Sequence, residues 1–168
     1  MFQQLPELSP DDADIKEISE LLKKITIPLN SNMMSRALRF GTHRSVCLGD
    51  VKDRFKHTVG RSRFSRKYPM LHDAVFRLGN KICPFAPTSC YINHNVVCPP
   101  HTDPHNNGES VIVSIGDYRG GDLVIKGQKV STYMTPFLFD GGKYEHWNTP
   151  LDSEYENNKY SLVFFSTK

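Results

Sequence analysis

The chain has 168 residues and a formal net charge of +3, with 38% hydrophobic, 11% aromatic and 23% charged residues. This length fits a single domain with one core, and the composition excludes wholesale disorder. No apolar run reaches the roughly 18 residues of a membrane span, and the N-terminus lacks the pattern of a secretory signal. We therefore expect a soluble protein inside the cell, in the cytoplasm or nucleus.

The first 80 residues carry helical signals on either side of a basic connector. Ser9 is placed to cap a helix that opens with Pro10 and is closed by Pro28. Apolar residues recur between them at helical spacing: Ile15, Ile18, Leu22 and Ile25. A second helix is predicted to begin at Pro69, with Gly79 as its C-terminal stop.

After residue 81 the sequence changes to short β-rich runs separated by Gly, Pro and Asn. These runs cover residues 90–97, 110–115, 122–126, 137–140 and 160–166. Many short strands without interleaved helices are typical of a sandwich or barrel. We predict a mostly β protein in which a helical support region and basic connector (1–80) pack on a jelly-roll core (81–168), all within one domain (1–168).

His101 and Asp103 are separated by one residue, so on extended backbone both side chains project from the same face and can chelate a metal. An iron that activates oxygen needs few protein ligands, because its other positions must accept a co-substrate and oxygen. His146, which follows a strand and a Gly-Gly turn, is the best-placed third ligand. His105 competes for this role but lies beyond Pro104 in a predicted turn. An H-x-D pair alone is a weak signal, and zinc is the rival metal because the same ligand types hold it.

An α-keto diacid co-substrate needs a cation for its distal carboxylate, with hydroxyl or amide donors beside it. Lys159 and Ser161 offer this pair and alternate on a predicted strand, on the face that should look into the barrel. Tyr91 and Asn93 share a face of the strand leading to the metal and can add hydrogen bonds. An exposed lysine at a strand start is the commoner fate of this residue type, and the position after His146 favours the functional alternative.

The segment from residue 101 to residue 124 resembles the 2-oxoglutarate oxygenase superfamily, particularly its TET and JBP branch. That branch shows a histidine, any residue, an aspartate, two residues and then an asparagine. Here those positions are His101, Asp103 and Asn106. The following Gly-Asp-Tyr-Arg-Gly-Gly-Asp-Leu is similar to the JBP-type segment in which a Gly-Gly turn leads into the next core strand. The resemblance extends from about Tyr91 to the C-terminus.

This resemblance implies a double-stranded β-helix, which is a cupin-like fold, and an Fe(II)- and 2-oxoglutarate-dependent dioxygenase. Conversion of 2-oxoglutarate and O2 to succinate and carbon dioxide would drive hydroxylation of a C–H bond, with ascorbate supporting activity. The last-strand cation of the TET and JBP branch is usually arginine, whereas this chain has Lys159, as prolyl hydroxylases do. Lysine binds a carboxylate as a point charge and lacks the planar two-pronged grip of arginine.

TET and JBP relatives oxidise the 5-methyl group of pyrimidines in nucleic acid, which requires the base to leave its stack. Between Lys52 and Lys67 the chain has seven lysines and arginines and one acid, Asp53. The cations could contact phosphates, above all Arg61, Arg63, Arg66 and Lys67. The interleaved aromatics could stack on bases: Phe55, Phe64 and Tyr68. The alternative is a solvated connector with its aromatics in the core.

Three functions are compatible with these residues. The first is an oxygenase acting on a pyrimidine methyl group in DNA or RNA, which Asn106 and the Gly-Gly segment favour. The second is a prolyl or lysyl hydroxylase acting on a protein, which Lys159 favours. The third is a metal-binding jelly roll without catalysis. Trp147, beside His146, either lines a substrate pocket or serves in packing. No membrane partner is expected.

Overall fold

The computed structural model describes residues 2–29, 44–53, 55–103 and 108–167. Within these ranges helices and strands succeed one another as follows. In chain order the elements are β1 (Gln3–Gln4), α1 (Ala13–Leu22), β2 (Arg44–Lys52), β3 (Val59–Arg61), α2 (Arg63–Lys67), α3 (Pro69–Ile82), β4 (Ser89–His94), β5 (Ser110–Asp117), β6 (Leu123–Ile125), β7 (Gln128–Val130), β8 (Phe137–Phe139), β9 (His146–Asn148) and β10 (Asn158–Phe165).

Two antiparallel sheets form the β part of the molecule. The larger has the order β1-β8-β5-β10-β4-β2-β3, and the smaller has the order β7-β6-β9. Helices α1 and α3 pack against each other and share a core cluster with the larger sheet. A second cluster joins residues of both sheets. The predicted mostly β double-stranded β-helix with N-terminal helices is confirmed. No helix among the described residues has the length and apolarity that crossing a membrane requires.

The two faces of β10 belong to different clusters. Leu162 and Phe164 are fully buried in the cluster that includes the helices. Val163 packs into the cluster between the two sheets. Because side chains alternate along a strand, Lys159 and Ser161 share the face of Val163 and look into the space between the sheets. The alternation predicted for this strand is confirmed.

Helix α1 begins later than the sequence indicated. The carboxylate of Asp12 accepts a hydrogen bond from the backbone N–H of Ile15 (3.0 Å), so Asp12 is the N-cap. Ser9 instead accepts a hydrogen bond from the N–H of Asp11 in the preceding turn. Ile25 lies beyond the helix end but still packs against the core. A carboxylate competes well with a hydroxyl for the cap position, and the sequence offers both.

Gly79 is an interior residue of α3, not its stop, since the helix continues to Ile82. A Cβ at Gly79 would lie 2.6 Å from a ring carbon of Phe164. The glycine therefore permits the close approach of α3 to β10, which the local sequence could not reveal.

Besides β1, two strands of the larger sheet, β2 and β3, lie before residue 81, in the segment that the sequence indicated as a connector. Strand β2 pairs with β4 over six residues, from Arg44 opposite His94 to Gly49 opposite Ser89. It also pairs with β3, whose three residues are all exposed. Strands near a sheet edge bury few side chains, so their apolar pattern is weak.

Candidate metal centre and co-substrate pocket

The segment that carries the H-x-D pair runs beside β9 as an additional extended stretch. The backbones of His101 and His146 exchange two hydrogen bonds, with N–O distances of 3.1 and 3.0 Å. The N–H of Asp103 donates to the carbonyl of Gly141 (2.8 Å), just after β8. Backbone pairing thus places all three predicted ligands at one corner of the small sheet.

The side chains of His101, Asp103 and His146 converge, and one donor atom from each lies within 4.8 Å of the other two. The carboxylate oxygens of Asp103 lie 3.6 Å from Nε2 of His101 and 3.2 Å from Nε2 of His146. Two ligand atoms at right angles, each about 2.1 Å from an ion, lie roughly 3 Å apart. The triad therefore has the spacing of a mononuclear metal site.

The backbone fixes which nitrogen of each imidazole faces the carboxylate. Nδ1 of His101 lies 2.7 Å from the carbonyl oxygen of Pro99, and Nδ1 of His146 lies 3.0 Å from that of Tyr144. A carbonyl can only accept, so each Nδ1 carries the proton and donates. The Nε2 lone pairs then point toward Asp103, as is usual for histidines that bind metals.

A cation fits this donor set well. Two imidazole lone pairs and a carboxylate that face one another repel unless a positive charge lies between them. Two histidines and one carboxylate leave three positions of an octahedral ion for other ligands, which is the pattern of non-haem iron that activates oxygen. These residues fit Fe(II).

Two further residues shape the metal site. The ring of Phe139 packs edge-on against His146, with centroids 5.3 Å apart. A Cβ at Gly141 would lie 3.0 Å from a carboxylate oxygen of Asp103 and 3.2 Å from a ring carbon of His146. Glycine at this position leaves room for the carboxylate to reach the ion.

Lys159 is 3% exposed, although lysine is almost never buried without a partner. Its Nζ donates to the carbonyl of Gly121 (2.6 Å) and lies 5.4 Å from the ring centroid of Tyr118. Among the described residues no carboxylate oxygen lies within 4.0 Å of this ammonium group. Burial lowers the pKa of Lys159 from 10.5 to about 8, and Asp122 and Cys98 act in the opposite direction. A buried cation without a carboxylate in direct contact is suited to a ligand carboxylate.

Sequence reasoning missed a cluster of hydroxyl groups beside Lys159. The hydroxyls of Ser114 and Thr132 lie 2.7 Å apart, and both are hydrogen-bond partners of the Tyr118 hydroxyl. Burial raises the pKa of Tyr118 to about 12, while these hydrogen bonds lower it. Tyr118 lies within the Gly-Asp-Tyr-Arg-Gly-Gly motif, but only the strand register places Ser114 opposite Ser161.

The other predicted co-substrate residues lie at different depths of the same face. Ser161 lies opposite Asn93 on β4, whose amide nitrogen is 3.4 Å from the serine hydroxyl. Tyr91 lies opposite Val163 and stacks on Phe165, with centroids 5.5 Å apart. It is four residues from the level of Lys159, roughly 13 Å along the strands. Tyr91 is thus at the metal end of the sheet and remote from the buried lysine.

Trp147 does not lie with the metal ligands. It follows His146 on β9, so alternation directs the indole to the opposite face of this strand. Its assignment to the substrate pocket or to packing stays a prediction. Asn106 and the competing ligand His105 lie outside the described residues.

The predicted basic residues are placed together on the surface. Arg61 ends β3, while Arg63, Arg66 and Lys67 belong to α2. All four are exposed. Two of the interleaved aromatics, Phe64 and Tyr68, pack against the core. Phe55 is instead 93% exposed.

No protein-family model matches the chain, and no curated protein matches it in sequence. Solved structures do match it in fold. NgTET1 in complex with 5mC DNA has a TM-score of 0.63 at 13% identity, covering 99% of this chain and 72% of that chain. A Pseudomonas putida prolyl-4-hydroxylase has a TM-score of 0.54 at 16% identity, covering 99% and 93%. A full-length Neurospora crassa protein in complex with alpha-KG has a TM-score of 0.51 at 14% identity, covering 99% and 75%.

These similarities define the class of fold to which the chain conforms. It has the double-stranded β-helix fold of 2-oxoglutarate-dependent dioxygenases. The resemblance to this superfamily, including a TET protein, is confirmed at the level of the fold. Identities of 13 to 16% do not select a substrate.

Proposed function

We propose that this protein is an Fe(II)- and 2-oxoglutarate-dependent dioxygenase. One observation carries the proposal: a His-Asp-His triad and a buried lysine without a carboxylate partner both adjoin the small sheet inside this fold. The triad adjoins β6 through His146, which lies opposite Ile125. The ammonium of Lys159 donates to the carbonyl of Gly121, two residues before the same strand begins.

The chemistry of each side chain indicates its role in binding the iron or the co-substrate. His101, Asp103 and His146 would hold the iron, with each Nδ1 bound to a backbone carbonyl so that the rings keep their orientation. Bound Fe(II) supplies oxidation of a C–H bond coupled to decarboxylation of 2-oxoglutarate. Lys159 would neutralise the distal carboxylate of this co-substrate, and Ser161 would donate a hydrogen bond beside it.

We propose a pyrimidine 5-methyl group in nucleic acid as the target. Support comes from the exposed cations of β3 and α2 and from the similar fold of NgTET1, whose structure contains 5mC DNA. Asn106, which the motif includes, would contribute to substrate binding. The target base would have to leave its stack to enter this cavity, because a stacked base is inaccessible there.

A protein side-chain hydroxylase is the second candidate. Lys159 is a lysine where TET and JBP proteins usually have arginine, and the fold also resembles a prolyl-4-hydroxylase. Under this alternative the target would be a prolyl or lysyl carbon. The same metal and co-substrate residues would serve both chemistries.

The decisive experiment is succinate formation by the purified protein with Fe(II), ascorbate, O2 and 2-oxoglutarate. It is run with 5-methylcytosine DNA, with RNA oligonucleotides, or with a peptide pool. We expect stimulation by methylated nucleic acid, and stimulation by peptide alone would favour the second candidate. Absence of turnover from iron-loaded protein that also fails to bind 2-oxoglutarate would overturn the enzymatic proposal in favour of a binding module.

A variant at the buried lysine tests the co-substrate pocket separately. Lys159→Ala should raise the 2-oxoglutarate concentration that half-saturates turnover, while iron binding is retained. An unchanged requirement would move the carboxylate site elsewhere in the cavity. Lys129→Ala, an exposed lysine of β7, is the matched control.

A further inference from the structure

The described residues of the turn between β2 and β3 are joined by hydrogen bonds, and Phe55 presents its ring to solvent. The carboxylate of Asp53 accepts hydrogen bonds from the N–H groups of Phe55 and Lys56, both at 2.8 Å. The backbone of Asp53 also bonds to Thr58 and His57. Phe55 projects from this turn with 93% of its surface exposed. The Phe55 ring is therefore accessible for stacking on a flat aromatic ligand.

The cations near this turn lack acidic partners. Asp53, the one acid between Lys52 and Lys67, is engaged in shaping the turn. Six lysines and arginines of this region are described and exposed: Lys52, Lys56, Arg61, Arg63, Arg66 and Lys67. None of them forms an ion pair within 4.0 Å among the described residues, even though Asp50 lies opposite Arg61. Positive charge is therefore concentrated on the surface formed by the β2–β3 turn, β3 and α2.

Helix α2 holds several of these cations in fixed positions. Phe64 and Tyr68 pack against the core and against each other, with centroids 4.7 Å apart. Ser62 caps the helix, and Ser65 bonds to the backbone N–H of Gly49 on β2 (2.7 Å). The buried side of α2 is thereby anchored, and its basic side faces outward.

The turn and the metal centre lie at the same edge of the larger sheet, meaning the edge formed by the ends of its strands. Beyond the last β2–β4 pair, Gly49 opposite Ser89, β2 continues into the turn. At this edge β10 ends with Phe165, and β8 ends with Phe139, which is followed by the Gly141 carbonyl that binds Asp103. Four strand spacings separate β8 from β2, roughly 19 Å and less where the sheet curves.

An aromatic pair lies between these two points on the concave face. Tyr91 of β4 and Phe165 of β10 stack with an interplanar angle of 14° and lie on neighbouring strands. Tyr91 is 38% exposed. The turn, this pair and the metal centre thus succeed one another along a single edge of the barrel.

We propose that this edge binds a single-stranded nucleic acid, with Phe55 stacked on one base and the cations of β3 and α2 bound to phosphates. The strand would run from the turn past Tyr91 to the metal centre. Base stacking on aromatics combined with a positively charged track is the general chemistry of single-strand binding. The inference deepens the proposed function by naming how its substrate is held, and it rests on that function only for the fate of the bound base.

Binding is measured on metal-free full-length protein, so that it is independent of turnover. Fluorescence anisotropy would use labelled single strands of roughly 16 nucleotides, as DNA and RNA of the same sequence. A polyglutamate peptide serves as the anionic comparison. Variants are Phe55→Ala and the double variant Arg66→Ala/Lys67→Ala. Matched controls are Met70→Ala, an exposed apolar residue, and Lys23→Ala/Lys24→Ala at the end of α1.

We expect Phe55→Ala to weaken binding about 5- to 100-fold at constant salt. The Arg66→Ala/Lys67→Ala variant should reduce the slope of log affinity against log salt by about 1.4 to 1.8. The controls should bind like the parent chain. The better of the DNA and RNA arms identifies the natural polymer.

Equal loss in the control variants, or polyglutamate binding as tight as that of the oligonucleotides, would overturn the proposal. Failure of the proposed function looks different. A protein that binds strands in this manner but forms no succinate retains the docking surface and loses the enzymatic assignment. A protein that forms succinate with peptide and binds no strand retains the enzyme and loses this surface.

Discussion

The larger sheet has two faces that share the same strands and differ in almost every property. Toward the helices it presents fully buried apolar side chains, among them Leu48, Ile92, Val113 and Leu162. Toward the small sheet it presents a polar row at one register level: Ser45, Asn93, Ser161 and Ser114. Side chains alternate with a period of two, so one set of strands can supply a stabilising core and a chemical cavity at once.

The cavity face contains buried polar groups that lower the stability of the fold. The Ser45 hydroxyl is buried and has no hydrogen-bond partner among the described residues. The pKa of Lys159 falls from 10.5 to about 8 because burial disfavours its charge. Between about pH 8 and 10.5 this lysine is protonated more fully in the unfolded chain than in the folded one. Its burial therefore destabilises the folded state at lower pH, and this penalty decreases as the pH rises through that range. Such groups are tolerated where a ligand completes them.

The largest expected effect is on the cavity face, where loss of a metal ligand should abolish activity without affecting stability. Asp103→Ala should reduce succinate formation by on the order of 10²-fold or more, since a ligand is lost, with the thermal midpoint preserved. Glu145→Ala, an exposed carboxylate beside His146, should retain activity in the same assay. Normal turnover by Asp103→Ala would contradict the metal assignment.

Substitutions at two adjacent residues of β10 should have different effects, one on stability and the other on co-substrate binding. Leu162→Ala should lower the free energy of unfolding by about 2 to 5 kcal/mol, because it leaves a cavity in the helix-side core. Ser161→Ala should change stability by less than about 1 kcal/mol and raise the KM for 2-oxoglutarate. Urea unfolding and steady-state kinetics on both variants test this, and similar stability losses would show that the two faces are not distinct.

Gly141 offers a steric probe of the metal site. Gly141→Val should weaken Fe(II) binding by about 10- to 100-fold, because its side chain would press on Asp103 and His146. The matched control is Gly60→Val, since a Cβ there meets no atom within 4 Å. Anaerobic metal titration measures both affinities, and unchanged binding by Gly141→Val would show that the carboxylate can move aside.

The smallest effect concerns pH. The protonated Lys159 should bind the co-substrate carboxylate, so kcat/KM for 2-oxoglutarate should fall up to tenfold per unit above about pH 8. Lys159→Arg should abolish this decline, because arginine stays charged. A pH profile of both proteins decides the matter, and the same decline in the variant would assign it to another group.

The sequence by itself determined the features that depend on local spacing. The H-x-D pair, the alternation of Lys159 with Ser161, and the mostly β class all follow from backbone periodicity, which needs no knowledge of distant contacts. The course of α3 from Pro69 was likewise predictable from its start signal.

Only the tertiary structure decided which distant segments meet. Pairing of residue 101 with residue 146 brings the third predicted ligand to the first two, and register sets Ser114 and Tyr118 beside the co-substrate face. Close packing against Phe164 explains Gly79, and core packing of Phe64 leaves Phe55 as the exposed phenylalanine among the described residues 52–67. These outcomes depend on contacts between strands and helices that are distant in sequence. The fold results from all of these contacts together, and a single sequence does not reveal which residues form each pair.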